Sequence, residues 1–320
     1  MKSLTIIGGS GFLGKSILLL FINKKLAKFK ISKIYCISRN KIKIQKLFRK
    51  NKNITFIKGD ISKLKNIPDT NYYIYAATSS ESKSYTSKPK KEFQNMIFGL
   101  KNFLKIIKKK KLYNSKMIFL SSGAIYGLNS KKKLLKENTI INKENYNLFS
   151  KEKKIYALGK YKSEEIIKEF LKNHKFNFTI LRCFAFFGPT QPIQGHFFIS
   201  NLISAIKKGV KLKIRSKNLH NIYRSYMHTD DMVNLFFKIF ISPYRKLQLF
   251  NLGSDKYYSL FNILHMIKKK YNLKIVIPKQ DSSINIKEFY IPDISRIKKK
   301  FNYRIRNSFI NDFDKILKQY

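Results

Sequence analysis

Between Ser3 and Leu26 the chain reads SLTIIGGSGFLGKSILLLFINKKL: an apolar run, a cluster of glycines, then a second apolar run. No other feature constrains the fold as strongly. A strand that ends in a glycine turn and passes directly into a helix is the opening unit of a dinucleotide-binding α/β fold. Gly8 permits the tight turn, Gly11 lets the backbone approach a pyrophosphate, and Gly14 lets the helix pack on the strand. The helix N-terminus presents free N–H groups and a positive dipole end to phosphates. Ser10, Phe12 and Leu13 therefore join the glycines as candidate cofactor contacts. The spacing is G-x-x-G-x-x-G rather than G-x-G-x-x-G, with Gly9 adding flexibility.

The pattern after this unit is consistent with it. Strand-like runs recur at Leu4–Ile7, Ile34–Ile37, Ile54–Ile57, Tyr72–Ala77, Met117–Leu120 and Phe178–Cys183, with lysine-rich amphipathic stretches between them. Phe93, Ile97, Leu100, Leu104 and Ile107 fall on one helical face, and a further helix is predicted over Glu152–Lys172. Alternation of this kind predicts a Rossmann-type, doubly wound parallel sheet with helices on both faces. The segment Gly188–Gly195, with two prolines and two glycines, reads as a loop. It marks the passage from a dinucleotide-binding domain, residues 1–187, to a smaller C-terminal lobe. That lobe would comprise 188–224 and 254–320, with 225–253 returning to the main domain.

The chain has 320 residues and a formal net charge of +49. Such a charge raises the question of nucleic acid. The lysines have no focus, however: Lys108–Lys111, Lys131–Lys133, Lys268–Lys270 and Lys298–Lys300 are far apart. Lys, Asn, Ile, Phe and Tyr are abundant throughout, while Trp is absent, as AT-rich codons dictate. The charge reads as compositional drift and solvated faces, and no nucleic-acid partner is expected. No apolar run approaches the roughly 20 residues that span a bilayer, and no signal peptide is read at Met1-Lys2, so a cytoplasmic protein with no membrane partner is expected. Cys36 and Cys183 read as separate buried thiols, with no disulfide framework and no metal site.

At the end of the second strand, where a carboxylate would bind the ribose of NAD, stand Ser38 and Arg39. A hydroxyl and a guanidinium suit a 2′-phosphate, which favours NADP(H), with NAD(H) the alternative. Asp60 and Ile61 follow the third strand, where the acidic side chain could reach adenine. Ala76 and Ala77 end the fourth and allow close cofactor approach.

Two further segments carry chemistry. FLSSGAIYG, Phe119–Gly127, is a strand running into serines and glycine, and YALGKYKSEE places Tyr156 and Lys160 at i, i+4 on one helix face. A free tyrosine, with a pKa near 10, exchanges protons poorly at neutral pH. A nearby ammonium is expected to lower that value, so that Tyr156 can exchange a proton with a carbonyl or hydroxyl oxygen. Ser122 would hydrogen-bond the same oxygen. Hydride would move between the adjacent carbon and a nicotinamide.

With GGSGFLG, SSGAIYG, Tyr156/Lys160, RCFAFFGP (Arg182–Pro189), RSYMHTDDM (Arg224–Met232) and FNLGS (Phe250–Ser254), the chain resembles the extended short-chain dehydrogenases/reductases. Its likeness is to the NAD-dependent epimerase/dehydratase group acting on sugar nucleotides, and within it to abequose-synthase-like reductases of 4-keto-6-deoxyhexoses. The resemblance implies that Gly8, Gly11 and Gly14 hold the pyrophosphate. It implies a catalytic set of Ser122, Tyr156 and Lys160, with Lys160 also on the nicotinamide ribose and Cys183 beside the cofactor. A nucleotide sugar would be held by Ser122, Gly123, Ala185, His196, Asn201 and Arg224, the last gripping the diphosphate. Asp231 would cap or pair structurally. A homodimer through the helices of 93–109 and 152–172 is also implied.

The departures are informative. Dehydratases of the group carry an acidic pair after the catalytic hydroxyl residue; here those positions are Gly123 and Ala124, so elimination of water is not expected. Ala185 stands where many relatives have a substrate-binding Asn. Asn95 precedes Gly99 by four residues rather than the usual three. The expected activity is NADPH-dependent reduction of a 4-keto group on a nucleotide-activated 6-deoxyhexose, in polysaccharide sugar supply. Its alternatives are an NAD-dependent sugar-nucleotide 4-epimerase and, in another class, a non-catalytic nucleic-acid-binding or assembly subunit.

Overall fold

A computed structural model describes residues 1–39, 48, 50–78, 87–131, 133–192, 198–214, 216–243, 246–279, 287–306 and 308–318. Seven strands form the main sheet: β1 (Lys2–Ile7), β2 (Ile31–Ser38), β3 (Ile54–Lys58), β4 (Tyr72–Tyr75), β5 (Lys116–Ser122), β6 (Asn177–Cys183) and β10 (Gln248–Leu252). Their order is β10-β6-β5-β4-β1-β2-β3, and every pairing is parallel. The sheet is thus the Rossmann-type α/β architecture that the alternating runs predict. Strand order reverses between β1 and β4, which is where ligands enter such sheets.

Helices α1 (Phe12–Ile22), α5 (Thr229–Ile241) and α7 (Ser295–Lys300) carry residues of the core on one face of the sheet. Helices α2 (Pro89–Lys109) and α3 (Lys151–Lys172) cover the other. The face predicted on α2 is the buried one: Ile97, Leu100, Leu104 and Ile107 are in the core. A parallel sheet needs both faces covered, which is why Leu4, Ile6, Ile74 and Ile118 can alternate with Ile7, Tyr73, Tyr75 and Met117 without a polar face between them.

A third core lies beyond the C-terminal edge of the sheet. It joins α4 (Phe198–Lys208), α6 (Leu260–Tyr271) and α8 (Phe309–Leu317) with β7 (Ala185–Phe187) and β9 (Ile222–His228). Strands β7, β9, β11 (Tyr257–Ser259) and β13 (Glu288–Tyr290) form a second sheet centred on β9; β8 (Leu212–Lys213) and β12 (Ile275–Val276) form a third. The stretch 254–320 is divided between cores. Ile294, Ile297, Phe301 and Tyr303 pack with β10 and α5, whereas Phe309, Phe313 and Ile316 belong to the lobe. Asp231 pairs structurally: its carboxylate accepts from the Tyr303 hydroxyl at 2.7 Å and from the Arg306 N–H at 3.2 Å.

Candidate active site

The glycine turn is shaped from within. Gly8 has φ +91°, and a Cβ there would lie 2.6 Å from the Ala76 carbonyl. Gly14 sits against Gly9, and Gly9 against the Cys36 sulfur. Gly11 differs: a Cβ there would meet only the Gly8 oxygen, at 3.4 Å. Protein packing therefore does not require glycine at position 11, whereas a ligand pressed to the backbone would. Helix α1 begins at Phe12 with no side-chain cap and no acidic residue in its first turn. An uncapped helix end behind an open glycine fits a pyrophosphate.

Around this cradle, the Ser38 hydroxyl donates to Ser10 at 2.6 Å, and Arg39 is exposed just beyond β2. Asp60 accepts from the Ser62 N–H at 3.0 Å and from the Ser62 hydroxyl at 2.8 Å. Burial alone would raise its pKa; those bonds and the charges of Arg39 and Lys63 hold it below the usual range. Ile61 is buried in the core beside α2.

The catalytic candidates come from three separate elements. Ser122 ends β5 and caps the short helical turn Gly123–Tyr126, accepting from the Ala124 N–H at 3.1 Å. Tyr156 and Lys160 lie one turn apart on α3, which begins at the capping residue Ser150. The Ser122 hydroxyl lies close enough to the Tyr156 phenol to oppose the effect of burial on its pKa. The Lys160 ammonium lies 5.8 Å from the centre of the Tyr156 ring and donates to Thr78 Oγ1 at 2.9 Å and to the Leu120 carbonyl at 2.6 Å.

The electrostatic balance corrects the expectation from sequence. Burial pushes the Tyr156 phenol up to about 12, opposed by the Ser122 hydroxyl, with the Cys183 thiol adding to the rise. Burial draws Lys160 down to about 8, against the influence of Cys183 and Glu164. Desolvation of both groups outweighs the ammonium's pull on the phenol. The lowering expected from the i, i+4 spacing alone is therefore not what the protein supplies.

Sequence reasoning missed a second phenol in this group. Tyr290, at the end of β13, also brings its phenol beside Ser122, and it donates to the Cys183 carbonyl at 3.3 Å. Its ring packs on Phe184, with centroids 4.7 Å apart. The same Phe184 lies where a Cβ on Gly123 would fall, at 2.7 Å. Position 123 is thus a glycine because Phe184 needs the space. Cys183 is buried, which pushes its thiol up to about 12.

Arg224 reaches this end of the sheet from β9. Its guanidinium stands 5.6 Å from the Tyr290 ring centre and pairs with Glu288 at 2.9 Å. Glu288 also holds Lys153, at 3.0 Å. Neither Glu288 nor Lys153 belongs to any recognised motif. The only sequence signal for Glu288 is scarcity, since the chain has 18 acidic residues against 67 basic. Ala185 is half-buried on β7 beside Tyr226. Asn201 is exposed on α4, with no side-chain hydrogen bond among the described residues, and His196 lies outside the described residues. His228 caps α5, its Nδ1 accepting from the Asp230 N–H at 3.0 Å.

Residues 4–253 match the NAD dependent epimerase/dehydratase family. The match covers most of the chain, and the chain belongs to that family: it is an NAD(P)-dependent enzyme of the extended short-chain dehydrogenase/reductase type. Over 290 residues it is 26% identical to the bifunctional polymyxin resistance protein ArnA of Wigglesworthia glossinidia brevipalpis, covering 85% of this chain and 41% of that protein. The chain thus spans about two-fifths of the length of this curated relative. Its fold is similar to that of UDP-N-acetylglucosamine 4-epimerase from Methanobrevibacter ruminantium, with TM-score 0.80, 21% identity and coverage of 99% and 96% of the two chains. It is similar also to UDP-glucose 4-epimerase from Thermotoga maritima, at 0.78, 19%, 99% and 98%. A third likeness is to dTDP-glucose 4,6-dehydratase from Bacillus anthracis, at 0.79, 17%, 100% and 96%. Among the described residues no helix is long and apolar enough to cross a membrane.

Proposed function

We propose that the protein reduces the 4-keto group of a nucleotide-activated 6-deoxyhexose, using NADPH. The observation that carries this reading is the convergence of the Ser122 hydroxyl and the Tyr156 phenol, with Lys160 one helical turn away, at the sheet end that also bears the glycine cradle. The dinucleotide would be held by Gly8, Ser10, Gly11, Phe12, Leu13 and Gly14, with Ala76 and Ala77 behind it and Lys160 on its ribose. When bound, it supplies the hydride for the carbonyl carbon.

The chain's own residues handle the proton. The substrate oxygen lies between the Ser122 and Tyr156 hydroxyls. Ser122 hydrogen-bonds it, and the Tyr156 hydroxyl gives up its proton to it. A phenol held near 12 is a reluctant acid, so the phenolate left behind needs the Lys160 ammonium to stabilise it. Arg224 would hold the diphosphate. No carboxylate stands at Gly123 or Ala124, which disfavours dehydration. The preference for NADPH is supported by Ser38 and Arg39 at the end of β2.

A 4-epimerase is the second reading, favoured by the two 4-epimerases among the similar folds. It would use the same three residues with retained NAD. The test is NADPH oxidation measured against CDP-, dTDP-, GDP- and UDP-linked 4-keto-6-deoxysugars. Consumption of added NADPH supports the reductase; NAD that copurifies, with interconversion of sugars and no net cofactor use, overturns it in favour of the epimerase. A homodimer through α2 and α3 would cover Phe98, a large apolar side chain left 54% exposed on α2.

A further inference from the structure

We propose that Glu288 is a resident counter-ion that competes with the substrate's diphosphate for Arg224 and thereby sets the affinity for the nucleotide sugar. The inference rests on the reading of Arg224 as the diphosphate-binding residue and adds to it a component supplied by this chain. Glu288 and Arg224 lie on paired strands, with Glu288 opposite Ile222 and Tyr290 opposite Arg224. A single oxygen, Glu288 Oε1, takes both the Arg224 guanidinium at 2.9 Å and the Lys153 ammonium at 3.0 Å. The triad carries a net single positive charge.

Its position ties it to the reacting group. Lys153 precedes Tyr156 by three residues on α3, so the two side chains share a face. The Arg224 guanidinium stands over the ring of Tyr290, and the hydroxyl of that ring meets Ser122. The triad is mostly withdrawn from solvent but not sealed, with side-chain exposures of 20% for Arg224, 18% for Glu288 and 36% for Lys153. An incoming anion can reach it.

Two cations sharing one carboxylate are stable together; removing the carboxylate would leave them to repel. A diphosphate arriving at Arg224 meets a guanidinium whose NH2 is committed to Glu288 and whose NH1 donates to the Tyr223 carbonyl at 2.8 Å. It must also approach the carboxylate. Glu288 thus weakens nucleotide binding while holding Arg224 and Lys153 in place. Once the diphosphate takes over Arg224, Glu288 still has Lys153. The net effect is a site that releases its nucleotide product more readily than an uncompensated pair of cations would.

The test uses UDP, dTDP, GDP and CDP as probes, titrated calorimetrically into the full chain at fixed ionic strength, with NADPH affinity as the control for folding. Glu288→Gln keeps an oxygen acceptor for both cations and removes the charge. It is expected to tighten the preferred nucleoside diphosphate about tenfold, from one charge acting on a dianion at partly buried separation. Arg224→Ala is expected to weaken it by a similar factor, and in the Arg224→Ala background Glu288→Gln should tighten it less than in the parent, since only the carboxylate's direct repulsion of the anion is then removed and no competition for Arg224. Glu288→Ala should tighten binding less, since it also frees Arg224 to move. If a diphosphate binds through Arg224 and Glu288→Gln binds it no more tightly, the counter-ion role is overturned. If Arg224→Ala leaves every diphosphate unaffected, the diphosphate reading fails and the inference falls with it.

Discussion

Neighbouring residues on the same three elements meet opposite fates here. On β5, Ser121 donates to Glu164 at 2.5 Å in the interior, while Ser122 meets the two phenols of the site. On α3, Glu164 is one turn beyond Lys160 and belongs to the interior network. On β6, Arg182 is buried and Cys183 lines the site. The Arg182 guanidinium is almost fully engaged: it donates to both oxygens of Glu164, to the Tyr126 hydroxyl at 2.9 Å and to the Glu137 carbonyl at 3.0 Å. Arg224 is another arginine paired with a glutamate, but it is partly open and shares its carboxylate with a lysine. A sealed network, its side chains 4% and 1% exposed, holds the fold and is out of a ligand's reach. A partly open one is where a substrate can enter.

The largest expected contrast follows from this. Tyr156→Phe should lower kcat by about two to four orders of magnitude, the range for one proton-transferring group, with NADPH binding by fluorescence unchanged. Rates like those of the parent protein would remove Tyr156 from the mechanism. Arg182→Met should instead act on stability. It leaves Glu164 charged and buried, a loss of about 3–5 kcal/mol in urea denaturation. Arg224→Met, which leaves Glu288 paired with Lys153, should cost less stability than Arg182→Met while raising KM. Equal destabilisation by the two arginine variants would break the distinction drawn between the networks.

Lys160 stands on the boundary between them. It is buried, yet it belongs to the site. Its ordinary pKa of 10.5 is drawn down to about 8 in the folded protein. Between those two values the unfolded chain binds more protons than the folded one, so stability rises with pH across that window and is lowest below about 8. The full difference is about 3 kcal/mol. Denaturant midpoints should rise in the parent protein from pH 7 to about 9, above which the buried thiols and phenols, ionising first in the unfolded chain, reverse the trend, and the rise should largely vanish in Lys160→Met. A flat profile in the parent would mean the ammonium carries no desolvation cost.

What was legible in the sequence follows the same division. Strands β1 to β6, the buried face of α2 and the helix carrying Tyr156 and Lys160 were readable because each is a local pattern with a fixed period. The glycine turn was readable because close backbone approach leaves no other residue possible at Gly8. The contacts from β13 were not. Glu288 and Tyr290 reach the site from a short strand more than 120 residues beyond Tyr156, and only tertiary packing reveals which strand lies beside Arg224. The pKa of Tyr156 was misjudged for a related reason. Spacing shows that an ammonium is one turn away, but it does not show how deeply both groups are buried.

The smallest predicted effect tests the cofactor end, where no buried network holds the side chain in question. Arg39 is exposed after β2, and its charge helps hold Asp60 ionised. If it pairs with a ribose 2′-phosphate, Arg39→Ala should weaken NADPH about tenfold, or roughly 1.4 kcal/mol, and leave NADH nearly unaffected. The NADPH loss should shrink as salt is raised, because an exposed pair is screened. Equal losses for both cofactors would instead point to Asp60, since removing the neighbouring cation would disturb an acidic group that both cofactors approach. In that case the preference for NADPH read from Ser38 and Arg39 would have no physical basis.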